Sequence, residues 1–333
     1  MFISKTEFVD MQRKIEEQEE LLKTVLENEK NNREEMAQCR ALLEQIKRNQ
    51  MGIVGHIQEE SLSLKNTLSK QYSLTMLQFE VHLVEHCNLN CQNCDHYSPV
   101  AKEKYVDIEV YSKDFERLAE LTGGKVTRIF LLGGEPLLHP RLIELIKIAR
   151  ENFKSLYTRI EVVTNGILLK EMGDDFWKTC CEFNIGIAIT KYPISLNYEE
   201  LSDMAKRNSV KLRFFGNSAV MKTSWHLPLD LEGKQDYRLN FMRCWRANNC
   251  ITLKNGKMFA CNIPAHIEHF NEYFNKNIPV TQDDYVDIYK VDSLEMLVEK
   301  LSRPFPFCRY CNIACETKNH PWKVSMREIK EWT

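Results

Sequence analysis

Phe79-Glu80-Val81-His82-Leu83-Val84 runs through Glu85 and His86 into Cys87-Asn88-Leu89-Asn90-Cys91-Gln92-Asn93-Cys94-Asp95-His96-Tyr97-Ser98-Pro99. The apolar run reads as a strand that ends just before Cys87. Working outward, the pattern predicts a helix over 111–121, a strand over 128–132, a helix over 140–152 and a strand over 159–163. A helix over 174–183, a strand over 185–189, a helix over 198–207 and a strand over 210–215 follow. Repeated strand–helix units imply a parallel sheet with helices outside it, hence an α/β domain. A closed eight-unit barrel takes about 250 residues, more than 78–235 offers. The expected architecture is therefore a partial (β/α)6 barrel, TIM-like but open.

The 333 residues are 43% hydrophobic, enough for a sizeable core. Lys and Arg total 45 against 47 Asp and Glu, a net charge of −2 that excludes a basic nucleic-acid footprint. The opening MFISKTEFVDMQRKIEEQEE lacks the apolar core of a signal peptide, and no later run approaches a membrane span. A cytoplasmic, reducing location is expected. There, clustered thiols bind metal or do redox chemistry more often than they form disulfides. The 12 cysteines are clustered. Three fall within 87–94, and Cys244, Cys250, Cys261, Cys308, Cys311 and Cys315 form a second group. Cys180 and Cys181, adjacent in a predicted helix, read as core thiols.

Residues 1–72 are proline-free and rich in Glu, Lys, Gln and Arg. Steps of seven from Phe8 give Ile15, Leu22, Glu29, Met36, Leu43, Gln50 and Ile57. The companion series is Met11, Gln18, Val25, Asn32, Cys39, Ile46 and Ile53. Such a heptad run predicts an α-helical coiled coil whose task is homo-oligomerisation. A single solvated helix is the alternative.

Three cysteines leave one iron of a [4Fe–4S] cluster without a protein ligand, and an open metal position is what makes a centre catalytic. Zinc, with His86 or His96 as fourth ligand, is the other reading of the loop taken alone. The strand over 128–132 runs into Gly133-Gly134-Glu135-Pro136, the third strand into Thr164-Asn165-Gly166 and the fourth into Thr190-Lys191-Tyr192. All stand at carboxyl ends of parallel strands, where such folds bind ligands. In these motifs the chain resembles the radical S-adenosylmethionine (SAM) superfamily. The resemblance implies that Cys87, Cys91 and Cys94 hold a [4Fe–4S] cluster. It also implies that Gly133, Gly134, Glu135, Pro136, Thr164, Asn165, Thr190 and Lys191 contact S-adenosylmethionine. Asn93 stands where family loops carry an aromatic residue, and Tyr97 is the aromatic that would substitute. The implied chemistry is one-electron cleavage of the carbon–sulfur bond, fed by a donor such as flavodoxin or ferredoxin, then hydrogen abstraction from substrate.

Residues 236–333 lose the alternation and read as a small Fe–S domain stapled by metal. Cys244 to Gly256 to Cys261 looks like the opening of the SPASM and twitch extensions, which carry auxiliary clusters. Each fully ligated cubane takes four thiolates, so six cysteines imply one auxiliary [4Fe–4S] cluster, on Cys244, Cys261, Cys308 and Cys311. A zinc knuckle helped by His266 and His320 is the alternative. Cys250 and Cys315 then remain as replacement ligands or as free thiols, one of which could be a hydrogen donor, with His266 or His96 as general base. The stretches from His266, Asp284 and Pro306 resemble a bacterial subgroup that accompanies glycosyltransferases in glycan assembly. A sugar substrate and a glycosyltransferase partner are the implication, with oxidation or epimerisation as the outcome. Peptide modification, sugar dehydration and a zinc-knuckle scaffold are the other readings.

Overall fold

The computed structural model describes the backbone of residues 5–75, 77–215, 220 and 223–333. Heptad positions Phe8, Met11, Ile15, Val25, Glu29, Asn32 and Ile57 have side chains outside the described residues. The chain divides into a unit ending at Leu64 and a unit of Lys65–Thr333.

The first unit belongs to one helix, α1 (Lys5–Thr75). Leu22, Met36, Leu43, Ile46 and Ile53 of the heptad series are all exposed on it. Among the described residues no helix is long and apolar enough to cross a membrane.

The second unit follows the expected alternation closely. It runs β1 (Gln78–Val84), α2 (Ile108–Thr122), β2 (Arg128–Gly133), α3 (Leu142–Asn152), β3 (Arg159–Thr164), α4 (Asp174–Glu182), β4 (Ile185–Ile189), α5 (Tyr198–Arg207) and β5 (Leu212–Phe214). The Asp107 carboxylate caps α2 by accepting from the Val110 N–H at 3.0 Å, and Gly123, at φ +59°, ends it. Spacing by three and four puts Tyr111, Phe115 and Leu118 on the buried face of α2. Phe115 meets Phe79 of β1 edge-on, with ring centroids 6.0 Å apart. Burying a side chain of this size contributes about 1.5–3 kcal/mol. Side chains alternate along a strand, so Phe79, Val81 and Leu83 join this core while Glu80 and His82 face the opposite side.

Beyond residue 236 there is more regular structure than the sequence suggests. After β6 (Thr223–His226) come α6 (Tyr237–Arg243), β7 (Thr252–Lys254), β8 (Lys257–Phe259), α7 (Asn262–Phe274), β9 (Val286–Asp287), α8 (Leu294–Leu301) and β10 (Thr317–Pro321). The main sheet has the order β5-β4-β3-β2-β1-β7-β8-β9. β7 pairs parallel with β1, Glu80 opposite Thr252, so six parallel strands are present and the sixth comes from late in the chain. Asn255 and Gly256, at φ +50° and +70°, turn β7 back into β8. Two adjacent positive φ values mark the tight hairpin turn that Asn-Gly favours. β6 and β10 form a separate antiparallel pair. The result is an α/β fold with a parallel-rich sheet, as a partial barrel requires.

Candidate active site

The carboxyl ends of β1–β4 surround a cavity of about 740 Å³. Cys87, Cys91 and Cys94 line it from the loop after β1, together with Gly133 and Gly134, Thr164 and Asn165, and Thr190. The two glycines have a steric reason to be glycine. A Cβ on Gly133 would lie 2.3 Å from the Val84 carbonyl oxygen, and one on Gly134 would lie 2.0 Å from that of His86. The end of β2 is thus pressed against the root of the cysteine loop, and the same tightness opens its backbone to the cavity. Asn93 is in the left-handed conformation (φ +59°), where Asn is better tolerated than most residues.

The three thiols are disfavoured as thiolates by their surroundings. Burial pushes Cys91 up to about 12 and raises Cys87 and Cys94 as well. Donors nonetheless point at the sulfurs. The Leu89 N–H lies 3.3 Å from Cys87 Sγ, and the Trp322 indole N–H lies 3.3 Å from Cys91 Sγ. Part-buried thiols that line one cavity, with N–H groups aimed at two of the sulfurs, fit the thiolates of an iron–sulfur cluster, whose potential such hydrogen bonds tune.

Other expected contacts sit elsewhere. Glu135 is wholly buried behind the cavity and accepts from the Thr164 hydroxyl at 2.6 Å, from the Asn165 N–H at 3.0 Å and from the Leu137 N–H at 3.1 Å. It ties the end of β2 to that of β3. Pro136 starts the turn that follows and is buried. The Lys191 ammonium lies over the Phe214 ring, 4.1 Å from its centroid. Tyr97 packs between Phe270 and Trp332 in a second core. Aromatic surface at the cavity comes instead from Tyr192, already part of the fourth strand-end motif, and from Trp225, Trp245 and Trp322, which sequence reasoning did not single out as site residues.

Cys244, Cys261, Cys308 and Cys311 line one small apolar cavity of about 20 Å³. Burial, then the neighbouring Cys308 and Cys244 sulfurs, pushes the Cys261 thiol well up. The Asn240 side-chain amide donates to the carbonyls of Cys308 (2.9 Å) and Cys311 (2.5 Å) and so fixes their loop. Cys250 lines the large cavity with the first three cysteines, whereas Cys315 is exposed. Beside Cys250 at that cavity stands Arg246, 3% exposed, with its Nε 2.6 Å from Asp95 and a second ion pair to Glu316. His96 lines the cavity too, but His266 is turned away, with Nδ1 2.9 Å from the Glu85 carboxylate. Nothing in its residue type marked Arg246; its partners lie 151 and 70 residues away.

Residues 81–201 match the family model for the Radical SAM superfamily. This segment belongs to that superfamily. Within the radical SAM segment lie all three loop cysteines and the ends of β1–β4. GTP 3',8-cyclase from Chlorobaculum tepidum is 32% identical over 107 residues, which are 32% of this chain and 31% of that protein. The match therefore spans about a third of the curated relative. Among solved structures, BtrN in complex with AdoMet and 2-DOIA aligns over 71% of this chain and 92% of its own, at 18% identity and a TM-score of 0.44. Streptococcus suis SuiB bound to precursor peptide SuiA aligns over 67% and 64%, at 13% identity and a TM-score of 0.34.

Proposed function

We propose that the chain is a radical SAM enzyme that abstracts a hydrogen atom from a sugar, nucleotide sugar or glycan and inverts or oxidises the carbon. The observation that carries this reading is the single cavity that gathers Cys87, Cys91 and Cys94, the strand-end residues and Cys250. When bound there, a [4Fe–4S] cluster and S-adenosylmethionine supply a 5′-deoxyadenosyl radical by one-electron reduction from a flavodoxin or ferredoxin. Gly133, Gly134, Thr164, Asn165 and Thr190, which line the cavity, would hold the cofactor. Trp225 and Trp245, both partly exposed at this cavity, would offer faces for a sugar ring, and Asp95 a carboxylate for its hydroxyls.

Cys250 favours inversion. Burial, with Glu80 next, raises its thiol well above the usual range, so it keeps the S–H bond that a hydrogen donor needs. Its hydrogen would pass to the substrate face opposite the abstraction, and one electron and one proton would restore the thiol. The four cysteines of the small cavity suit an auxiliary [4Fe–4S] cluster that carries that electron. The same cluster could instead accept an electron from the substrate, which favours oxidation to a ketone as the second reading. Oligomerisation through α1 and work beside a glycosyltransferase complete the proposal.

Anaerobically reconstituted protein should form 5′-deoxyadenosine and methionine with dithionite and a suitable nucleotide sugar, as read by mass spectrometry. Uptake of zinc alone, with no cofactor cleavage, would end the radical reading. In deuterated water an epimerase places solvent deuterium on the inverted carbon and Cys250→Ala abolishes inversion, whereas a ketone without deuterium selects oxidation.

A further inference from the structure

Beside the large cavity, three side chains meet that the cofactor reading does not use. Glu80 and His82 project from the same face of β1, and His96 follows the last cysteine of the loop. One potential ligand atom from each lies within 4.8 Å of the other two. His82 is 6% exposed, and neither of its ring nitrogens has a hydrogen-bond partner. Leaving a buried polar group unpaired is costly, so two on one ring call for an explanation. The ring is stacked on His266 at 3.7 Å and edge-on to His96 at 4.3 Å, contacts that satisfy neither nitrogen.

The surroundings match the outer shell of a metal site. Ligating histidines typically use their other nitrogen on a carbonyl, and ligating carboxylates are themselves hydrogen-bonded. Here the His96 ring is hydrogen-bonded to the Gly133 backbone, and the Thr252 hydroxyl donates to Glu80 Oε1 at 3.0 Å. Glu80 is buried, and no ion pair to it is present among the described residues. A neighbouring triad of His82, Glu85 and His266 lacks this vacancy for positive charge. There the Lys254 ammonium already lies 2.9 Å from Glu85, and His266 and His269 each donate to the carboxylate at 2.9 Å.

We propose that Glu80, His82 and His96 bind a divalent first-row transition-metal ion, separate from both cysteine sites. Two imidazoles and one carboxylate are a ligand set that zinc, cobalt and ferrous iron accept, with positions left open. Because His96 also lines the large cavity, the ion adds positive charge directly under the wall of the reaction site. This inference does not depend on S-adenosylmethionine cleavage or on the identity of the substrate.

The test uses the full chain with its clusters reconstituted, stripped of loosely bound metal, loaded with Co²⁺ and desalted under anaerobic conditions. Elemental analysis should find a single cobalt per chain beside the cluster iron, and cobalt X-ray absorption should show nitrogen and oxygen neighbours without sulfur. His82→Ala should lose the cobalt while its iron is unchanged, and Glu80→Gln should retain less than the wild type. The proposal fails if the wild type takes up no cobalt, if sulfur appears in the cobalt shell, or if His82→Ala keeps its full complement. Should His82→Ala lose iron as well, the wild-type cobalt spectrum and Glu80→Gln decide.

Discussion

Arg246 shows how single residues hold the second unit together. Its guanidinium is nearly inaccessible and is shared between Asp95, from the cysteine loop, and Glu316, near the end of the chain. Truncating one partner of a buried ion network typically costs about 3–5 kcal/mol, because the remaining charges stay buried. Arg246→Met should lower the urea unfolding free energy by about that amount, and a loss under 1 kcal/mol would show that water already screens the pair. Glu85 makes a second, pH-dependent contribution. Burial alone would raise its carboxyl, but His266, His269 and Lys254 outweigh it and hold the group well below the carboxylate range. His266 itself is pushed down to about 3, by burial first and Lys254 next, so it serves as a neutral N–H donor. With the folded pKa below the unfolded value of 4.5, the stabilisation is complete above that pH and is lost as the pH falls beneath it. Urea midpoints of wild type and Glu85→Gln should therefore differ at pH 7 and converge below pH 4.5.

At the scale of elements, the β7–β8 hairpin is the most sensitive. Gly256 has φ +70°, and a Cβ there would meet the Tyr289 ring at 2.8 Å. Gly256→Ala should cost about 1–3 kcal/mol and disturb the parallel pairing of β7 with β1, seen as faster amide exchange at Glu80 and Val81. An unchanged exchange pattern would mean that the turn does not govern the pairing. The elements of residues 78–215 were legible because each carries its own signal, an apolar run or a helical spacing, and their observed limits fall within about three residues of those expected. The cysteine loop and Gly133-Gly134-Glu135-Pro136 were legible for the same reason, as contiguous motifs. β7 was hidden by its brevity and by the cysteines around it. The Asn255-Gly256 pair, between Thr252-Leu253-Lys254 and Lys257-Met258-Phe259, was the signal that could have found it. Arg246 and the Glu80–His82–His96 group were out of reach. Their chemistry exists only once strands and loops distant in the chain are brought together.

For the whole molecule, the exposed heptad residues of α1 bear on assembly. Leu22, Leu43, Ile46 and Ile53 are exposed along one helix, and the coiled coil proposed above would cover them with another copy. Sedimentation should find the full chain as a dimer or higher oligomer and a chain lacking residues 1–72 as a monomer that still binds iron. A monomeric full chain would refute the assignment of oligomerisation to α1. The sheet order has a different consequence, one of timing. β1 lies between β2 and β7, and its partner Thr252 lies 172 residues beyond Glu80. During synthesis, the strand that launches the cysteine loop must wait, with one edge unpaired, until most of the chain has emerged. Long-range pairings of this kind are slow, and an open strand edge invites association with other chains. Ribosome-bound chains halted near residue 235 should thus be aggregation-prone and poor acceptors of iron, so that the metal enters late, after β7 has closed the open edge of β1.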